Sequence, residues 1–459
     1  MQHRAQLTEG PVGRTLLRLA VPMLGGTFAI TAFNLADAYF VSKLGTLELA
    51  AMGFTFPVVM VIGGVAMGLG MGAASVISRA IGEGDHHRVK GLTTDSLVLA
   101  FLVVGVFSMV GLLTIGPLFR LLGASEQVLP LIREYMTIWY ASVAFLILPM
   151  LGNNIIRAAG NTVFPSLIMI AAALINVVLD PLLIFGLYGF PRLGLTGAAV
   201  ATALSRGLTL IAALSVLHFR FHMLDPSRSS LAAMWESWRK VLHIGVPTAL
   251  TNLLAPLSIG LITRLVASFG EHAVAAFGAG ARIERFAFMV PMALGVSQVP
   301  FIGQNWGAGR PDRVALCRRY SNRFALLWGV VCLAAFLLSG GWIARQFSQD
   351  TRVVDALALY LWILPLGYGM QEVHRYASFA FNAIGEPSRS VALNVLRVVV
   401  FVLPGAFIGA RLGGLTGLFC GIALAQVAAG SIALRWAHRR FDVAEAAAGP
   451  VPSDPVGTP

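Results

Sequence analysis

Charge is scarce in this chain. Charged residues fill 12% of its 459 positions, against roughly 25% in soluble domains. Hydrophobic residues fill 57%. The few charges gather between apolar stretches of about 20 residues or more, the length a helix needs to cross a bilayer. That pattern excludes a soluble globular fold, whose helices would show polar faces. Cysteine is scarcer still. Cys317, Cys332 and Cys420 are scattered over the second half, with no paired framework and no metal spacing. They read as small packing residues. Catalytic signatures are missing as well: no His-Glu-x-x-His, no Gly-x-Ser-x-Gly and no histidine-rich cluster, so no enzyme is expected.

What is present is a set of about twelve apolar spans, from about 15–41 through 414–437. The fold class expected is all-α, a polytopic membrane protein. The net charge of +12 invites a nucleic-acid reading, but its distribution argues for a membrane. Basic residues fall on alternate loops: Arg79, Arg88 and Lys90, then Arg220, Arg228 and Arg239, then Arg310, Arg313 and Arg318. Positive charge held on the cytoplasmic side explains this alternation. Both termini are then cytoplasmic, as an even number of spans requires. No nucleic-acid partner is expected; the lipid bilayer is.

The chain also repeats itself. Val21-Pro22 returns as Val246-Pro247, Ala50-Ala51-Met52-Gly53 as Ala275-Ala276-Phe277-Gly278, and Gly160 as Gly385, each 225 residues on. Gly194-Leu195-Thr196-Gly197 returns as Gly414-Leu415-Thr416-Gly417, 220 on. Two pseudo-symmetric six-helix lobes are therefore expected, the architecture of alternating access. The domain reading is an N-terminal lobe over 1–217, a cytoplasmic connector over 218–237, a C-terminal lobe over 238–440 and a disordered cytoplasmic tail over 441–459. Trp235, Trp238 and Arg239 suit a connector helix lying at the interface.

The lobes differ at two acids. Asp37, inside the first span, has Ile262 as its repeat partner. Asp180, inside the fifth, corresponds in the second repeat to the apolar run from Val398 to Pro404. A carboxylate inside a bilayer costs roughly 2.5–3.5 kcal/mol on insertion scales and marks a functional site by default. Asn176 stands one turn before Asp180 on the same helix face. Pro181 frees a backbone carbonyl nearby. This oxygen-rich set suits Na⁺, or a proton shared between the acids. The bland alternative is two unrelated acids, each snorkelling to water from a helix end.

Other signals are weaker. Arg282, Glu284 and Arg285 suit local ion pairs near the start of the eighth span. Glu372, His374 and Arg375 in the tenth either line a cavity or pair with one another. Gly64, Gly68 and Gly72 read as a close-packing face. Gly82-Glu83-Gly84 reads as a helix-end turn. Pro22 lies fifteen residues before Asp37 and is either a hinge or a static kink.

The chain resembles the multidrug and toxic compound extrusion (MATE) family over about residues 10–440. The resemblance rests on the two six-span lobes, the Ala-Val-Pro opening at Pro22 and Asp37 in Asn-Leu-Ala-Asp. It rests also on Ser78 to Gly84, Arg157 to Thr162, and Asn176 to Pro181 ahead of Gly197 to Thr202. It implies export of drugs and organic cations by antiport, driven by H⁺ or Na⁺, from a monomer in a bacterial or archaeal plasma membrane, with no cofactor beyond the coupling ion. In the branch this chain is most similar to, called DinF-like, the coupling residues map to Asp37, Asn176 and Asp180. Thr202 in the sixth span maps to a further coupling position, so that Asp37, Asn176, Asp180 and Thr202 form the implied cation site, with Na⁺ as a possible occupant; Tyr135 in the fourth span, Gln371 and Glu372 map to a possible cavity. The NorM-like branch uses additional acids of the seventh and tenth spans. Here the seventh has none, and in the tenth Gln371 stands where the acid is expected, with Glu372 beside it. That departure favours coupling in the first lobe. A lipid-linked precursor flippase of the same superfamily is the alternative.

Overall fold

The computed structural model describes residues 7–225 and 230–448. Arg228 and tail residues 449–459 lie outside the described residues. Among those described there is helix and no strand. In lipid this follows from hydrogen bonding, because only a helix or a closed barrel satisfies its backbone without water.

The first half comprises α1 (Val12–Ser42), α2 (Thr46–Gly82), α3 (His86–Leu121), α4 (Leu129–Ser142), α5 (Ala144–Ala158), α6 (Val163–Phe185) and α7 (Leu195–Ser215). The second comprises α8 (Leu231–Ala267), α9 (Glu271–Ala287), α10 (Met289–Gly307), α11 (Pro311–Phe347), α12 (Thr351–Ile363), α13 (Tyr368–Ala383), α14 (Pro387–Val395) and α15 (Leu403–Ala448). Local chemistry sets the ends. The Asp85 side chain accepts the Arg88 N–H at 2.9 Å and starts α3. Pro311 and Pro387 open α11 and α14, where a missing N–H costs nothing.

Helices α4 and α5 are one span bent by 42°, and α9 and α10 one bent by 50°. A 3₁₀ turn, Leu364–Gly367, joins α12 to α13. A wide π turn, Leu396–Val402, joins α14 to α15. A 46-residue α15 would be about 69 Å long, twice what a bilayer needs. It is broken at Gly413 and Gly414, the latter at φ 59°, ψ −141°, a conformation glycine alone adopts readily. Counted this way the described residues form twelve spans.

The chain divides into two compact units, and the division does not fall in the connector. The first unit comprises Leu19–Leu250; the second takes residues 7–18 with the chain from Thr251 onward. The boundaries cut α1 one turn before Pro22 and α8 one turn after Pro247. Residues 231–237 of the expected connector are the first turns of α8 rather than a separate interfacial helix. Trp238 fixes that continuation by donating from its indole to the Asp95 carbonyl at 2.8 Å.

In the first unit the glycine face of α2 does pack closely, and its partner is α8. A Cβ on Gly68 would stand 2.4 Å from the Gly245 carbonyl oxygen, and one on Gly72 2.4 Å from that of Val241. Gly84, at φ 78°, ends the turn after α2. In the second unit Arg313 holds the N-terminal segment, donating to the carbonyls of Leu7, Glu9 and Gly10 at 2.9–3.3 Å. Tail residues 441–448, expected to be disordered, instead continue α15. Phe441 is buried, Asp442 pairs with Arg318 and His438, and Glu445 pairs with Arg319. Large apolar side chains such as Leu113, Leu327 and Leu338 stand exposed on helix faces, where lipid takes the place of protein.

Candidate functional site

Asn176 and Asp180 lie one turn apart on α6, both buried. With its amide nitrogen toward the acid, Asn176 donates to Asp180 Oδ2 at 2.7 Å, and its oxygen accepts the Thr202 N–H at 3.3 Å. Turned the other way, Asn176 donates to Thr202 Oγ1 at 3.4 Å and sets its oxygen against the carboxylate. The first orientation suits an ionised Asp180, which only accepts. The second suits a protonated one, whose hydroxyl donates to the amide.

Thr202 reaches this point because α6 and α7 touch. A Cβ on Gly197 would stand 2.4 Å from the Leu183 carbonyl oxygen, so only glycine allows this approach. From that contact the antiparallel helices bring Thr202 beside Asn176. Asp37 on α1 is buried, within electrostatic reach of Asp180, and its Oδ1 has no hydrogen-bond partner among the described residues. Neither acid snorkels: Asp180 is 0% and Asp37 8% exposed. Tyr135 on α4 is buried within electrostatic reach of both acids. Asp37, Asn176, Asp180, Thr202 and Tyr135 thus gather in the first unit. Pro22 lies apart, inside an α1 that runs through it unbroken.

Arg206 was not singled out from the sequence. It stands one turn after Thr202 on the same face of α7, half-buried, within electrostatic reach of Asp37 and Tyr135. The repeat held the signal: at the local offset of 220 its counterpart is Gln426. At these matched positions the first lobe therefore carries two acids and an arginine, and the second carries Ile262, an apolar run and Gln426.

The second lobe has its own cluster. Glu372 on α13 is buried and paired with Arg375 at 3.2 Å, so this part of the tenth-span group pairs within itself. His374 binds the Leu393 carbonyl at 3.1 Å. Glu284 on α9 does not join a local ion pair with Arg282 or Arg285, as the sequence suggested; the Tyr360 hydroxyl donates to it. The cause is helix rotation: Arg282 and Arg285 point outward while Glu284 turns toward α12. Gln371 also faces Glu284. Gln371 and Glu372 are thus in the second unit, apart from the first-lobe set. Among the described residues no group of three or more His, Cys, Asp or Glu side chains could hold a metal ion.

Twelve spans among the described residues, a doubled half, and acids at Asp37 and Asp180 whose repeat counterparts are apolar define a two-lobed membrane transporter. A family model described as MatE matches residues 22–182 and again 247–408, and its two starts are 225 residues apart, the offset of the internal repeat. The chain belongs to the MATE family, whose members are transporters and not enzymes. It is 39% identical over 430 residues to a protein of Shewanella oneidensis named FAD transporter, covering 94% of this chain and 95% of that one. It is 24% identical over 426 residues to the multidrug export protein MepA of Staphylococcus aureus, covering 91% and 92%. Among solved structures, the Vibrio cholerae MATE transporter VcmN in its bent form superposes with a TM-score of 0.89 at 32% identity, covering 94% and 98%.

Proposed function

We propose that this transporter exports an amphipathic organic solute in exchange for a cation bound at Asp37 and Asp180 in the first lobe. The observation that carries the reading is the Asn176–Asp180 pair at 2.7 Å, closed by Thr202 and set beside an Asp37 whose Oδ1 is unpartnered. The second repeat has Ile262 in place of Asp37 and an apolar run in place of Asp180. Cation binding would neutralise the pair, and α1 would repack, hinging near Pro22.

The coupling ion in this reading is a proton. Na⁺ needs several oxygen ligands and a negative site. Here Arg206 already offsets one of the two acids, so the site holds less net negative charge than Na⁺ requires. The two orientations of Asn176 suit the two protonation states of Asp180.

For the substrate, flavin adenine dinucleotide is the first compound to test, because the 39% relative bears that name along nearly its whole length. A second reading, export of organic cations and related drugs, is favoured by the buried acids and by the likeness to MepA. Everted plasma-membrane vesicles containing the full chain separate these readings. We expect a pH gradient, and not a Na⁺ gradient, to drive FAD uptake, with ethidium moved poorly. Ethidium uptake alone would select the drug reading. Transport of neither compound under either gradient would sink the exporter proposal.

A further inference from the structure

We infer that the first lobe carries a lipid site, a groove between α3 and α4 in which Arg120 and Arg133 seat the phosphate of an anionic phospholipid. The lipid belongs to the leaflet beside the 122–128 turn, the outer one in the topology read from the basic loops. The site does not depend on what the protein exports.

The first observation is a cavity that crosses from headgroup depth into the acyl layer. About 380 Å³ opens between α3 and α4, lined by Leu112, Leu113, Gly116, Arg120, Arg133 and Thr137 among others. Helix α3 carries no charge from Ser96 to Phe119, about 36 Å of helix and enough to cross the hydrocarbon core. Arg120 is the first charge beyond that run, so its guanidinium reaches the headgroups. Leu112 and Leu113 lie about 10–12 Å deeper along the helix. They are 40% and 75% exposed. The groove is thus cationic at its mouth and apolar at its floor, which is the polarity of a phospholipid read from phosphate to chain.

The second observation is unmatched positive charge at that mouth. The Arg133 guanidinium reaches across to α3, where a Cβ on Gly116 would stand 3.5 Å from its Nη2. Arg133 is exposed, and among the described residues its guanidinium makes no hydrogen bond or ion pair. The adjacent Glu134 turns instead to α7, where it accepts from the Thr196 hydroxyl at 3.4 Å. Arg120 donates to Glu126 from Nε at 2.9 Å and from Nη2 at 3.4 Å, which leaves Nη1 over. Both members of that pair are more than half exposed, so water and salt weaken it. Two arginines therefore share one acid. Guanidinium forks match phosphate oxygens, and such a pair of arginines favours an anionic headgroup over a zwitterionic one.

The third observation comes from the repeat. At the offset of 225, Gly116 corresponds to Gly341, Arg120 to Arg345, Arg133 to Ala358 and Thr137 to Trp362. In the second lobe the indole of Trp362, on α12, packs against this glycine face of α11. A Cβ on Gly340 would stand 3.0 Å from its Nε1, and one on Gly341 3.8 Å from its Cζ2. The second lobe thus covers with its own side chain the glycine face that the first lobe leaves open. Threonine in place of tryptophan gives the first-lobe groove its room, and arginine in place of alanine gives it charge.

The test is fluorescence quenching on the full chain in phosphatidylcholine vesicles. The exposed Cys420 is replaced, the buried Cys317 and Cys332 are kept, and bimane is attached at a Leu113→Cys substitution. Phosphatidylglycerol with brominated chains should quench this probe at a mole fraction on the order of tenfold lower than brominated phosphatidylcholine. The double variant Arg120→Gln/Arg133→Gln should abolish the preference. The double lysine variant should keep most of it, which separates lost charge from lost fold. The same probe at Leu338→Cys, the counterpart of Leu113 beside the covered face, should show the smaller preference. Equal preference at the two probes, or a preference that survives the glutamines, would overturn the site. Relief of quenching by millimolar inorganic phosphate would assign the arginines to a soluble anion and overturn it too. A Leu113 probe that neither brominated lipid quenches would mean that protein covers the groove, and the lipid site would fall.

Discussion

Asn176 and Asp180 meet at 2.7 Å on one face of α6, and the amide can satisfy the acid in either protonation state by turning over. Replacing Asn176 with leucine keeps the volume and removes both arrangements. A buried acid left without its partner costs about 1–3 kcal/mol. We expect Asn176→Leu to reach the membrane in normal amount, to melt a few degrees lower in detergent, and to export on the order of tenfold more slowly. Normal gradient-driven export would remove Asn176 from the coupling site.

Asp37→Asn preserves shape and removes a titrating charge. The variant should fold and bind substrate, yet lose gradient-driven export, and Asp180→Asn should do the same. Glu372 lies in the other lobe, paired to Arg375, so Glu372→Gln should change substrate range more than coupling. Transport at the wild-type rate and ion dependence by Asp37→Asn would show that coupling lies elsewhere.

The helix contact at Gly68 can be tested against a silent glycine. A methyl at Gly68 would meet the Gly245 carbonyl at 2.4 Å, whereas one at Gly105 meets nothing within 4 Å. Gly68→Ala should destabilise the protein by about 1–3 kcal/mol through overpacking. Gly105→Ala, in the interior of α3, should be neutral or slightly stabilising. Thermal unfolding followed by tryptophan fluorescence compares them, and equal melting temperatures would contradict the packing described.

Arg313 anchors the N-terminal segment through the three carbonyls of Leu7, Glu9 and Gly10. Arg313→Ala should expose that segment to limited proteolysis while leaving the spans resistant. Cleavage no faster than in the parent chain would mean the anchor lies elsewhere.

Orientation follows from the basic loops. With the exposed Cys420 replaced, a cysteine placed in the 43–48 loop should react with an impermeant maleimide added to intact cells. One placed at Lys240 should react only after lysis. The opposite pattern would invert the topology.

Much of this protein is determined by composition and repetition alone. Few charges and long apolar runs dictate helices in lipid, because no other open structure pairs its backbone there. The offset of 225 residues dictates two like halves. Asp37 and Asp180 stand out by being charged where the second half is apolar. The tertiary structure decided what depends on neighbours from other spans. Arg206 belongs beside Asp37 only once α7 is packed against α6 through Gly197. The bend at Phe288 and the π turn carrying Arg397 are backbone irregularities that hydrophobic periodicity does not encode. The helix after Arg440 persists because Arg318 and Arg319 on α11 are there to pair with it. Solvent preference is a property of each residue and can be read in order along the chain. Which charges share a site depends on how helices pack, a long-range relation that a linear pattern leaves open.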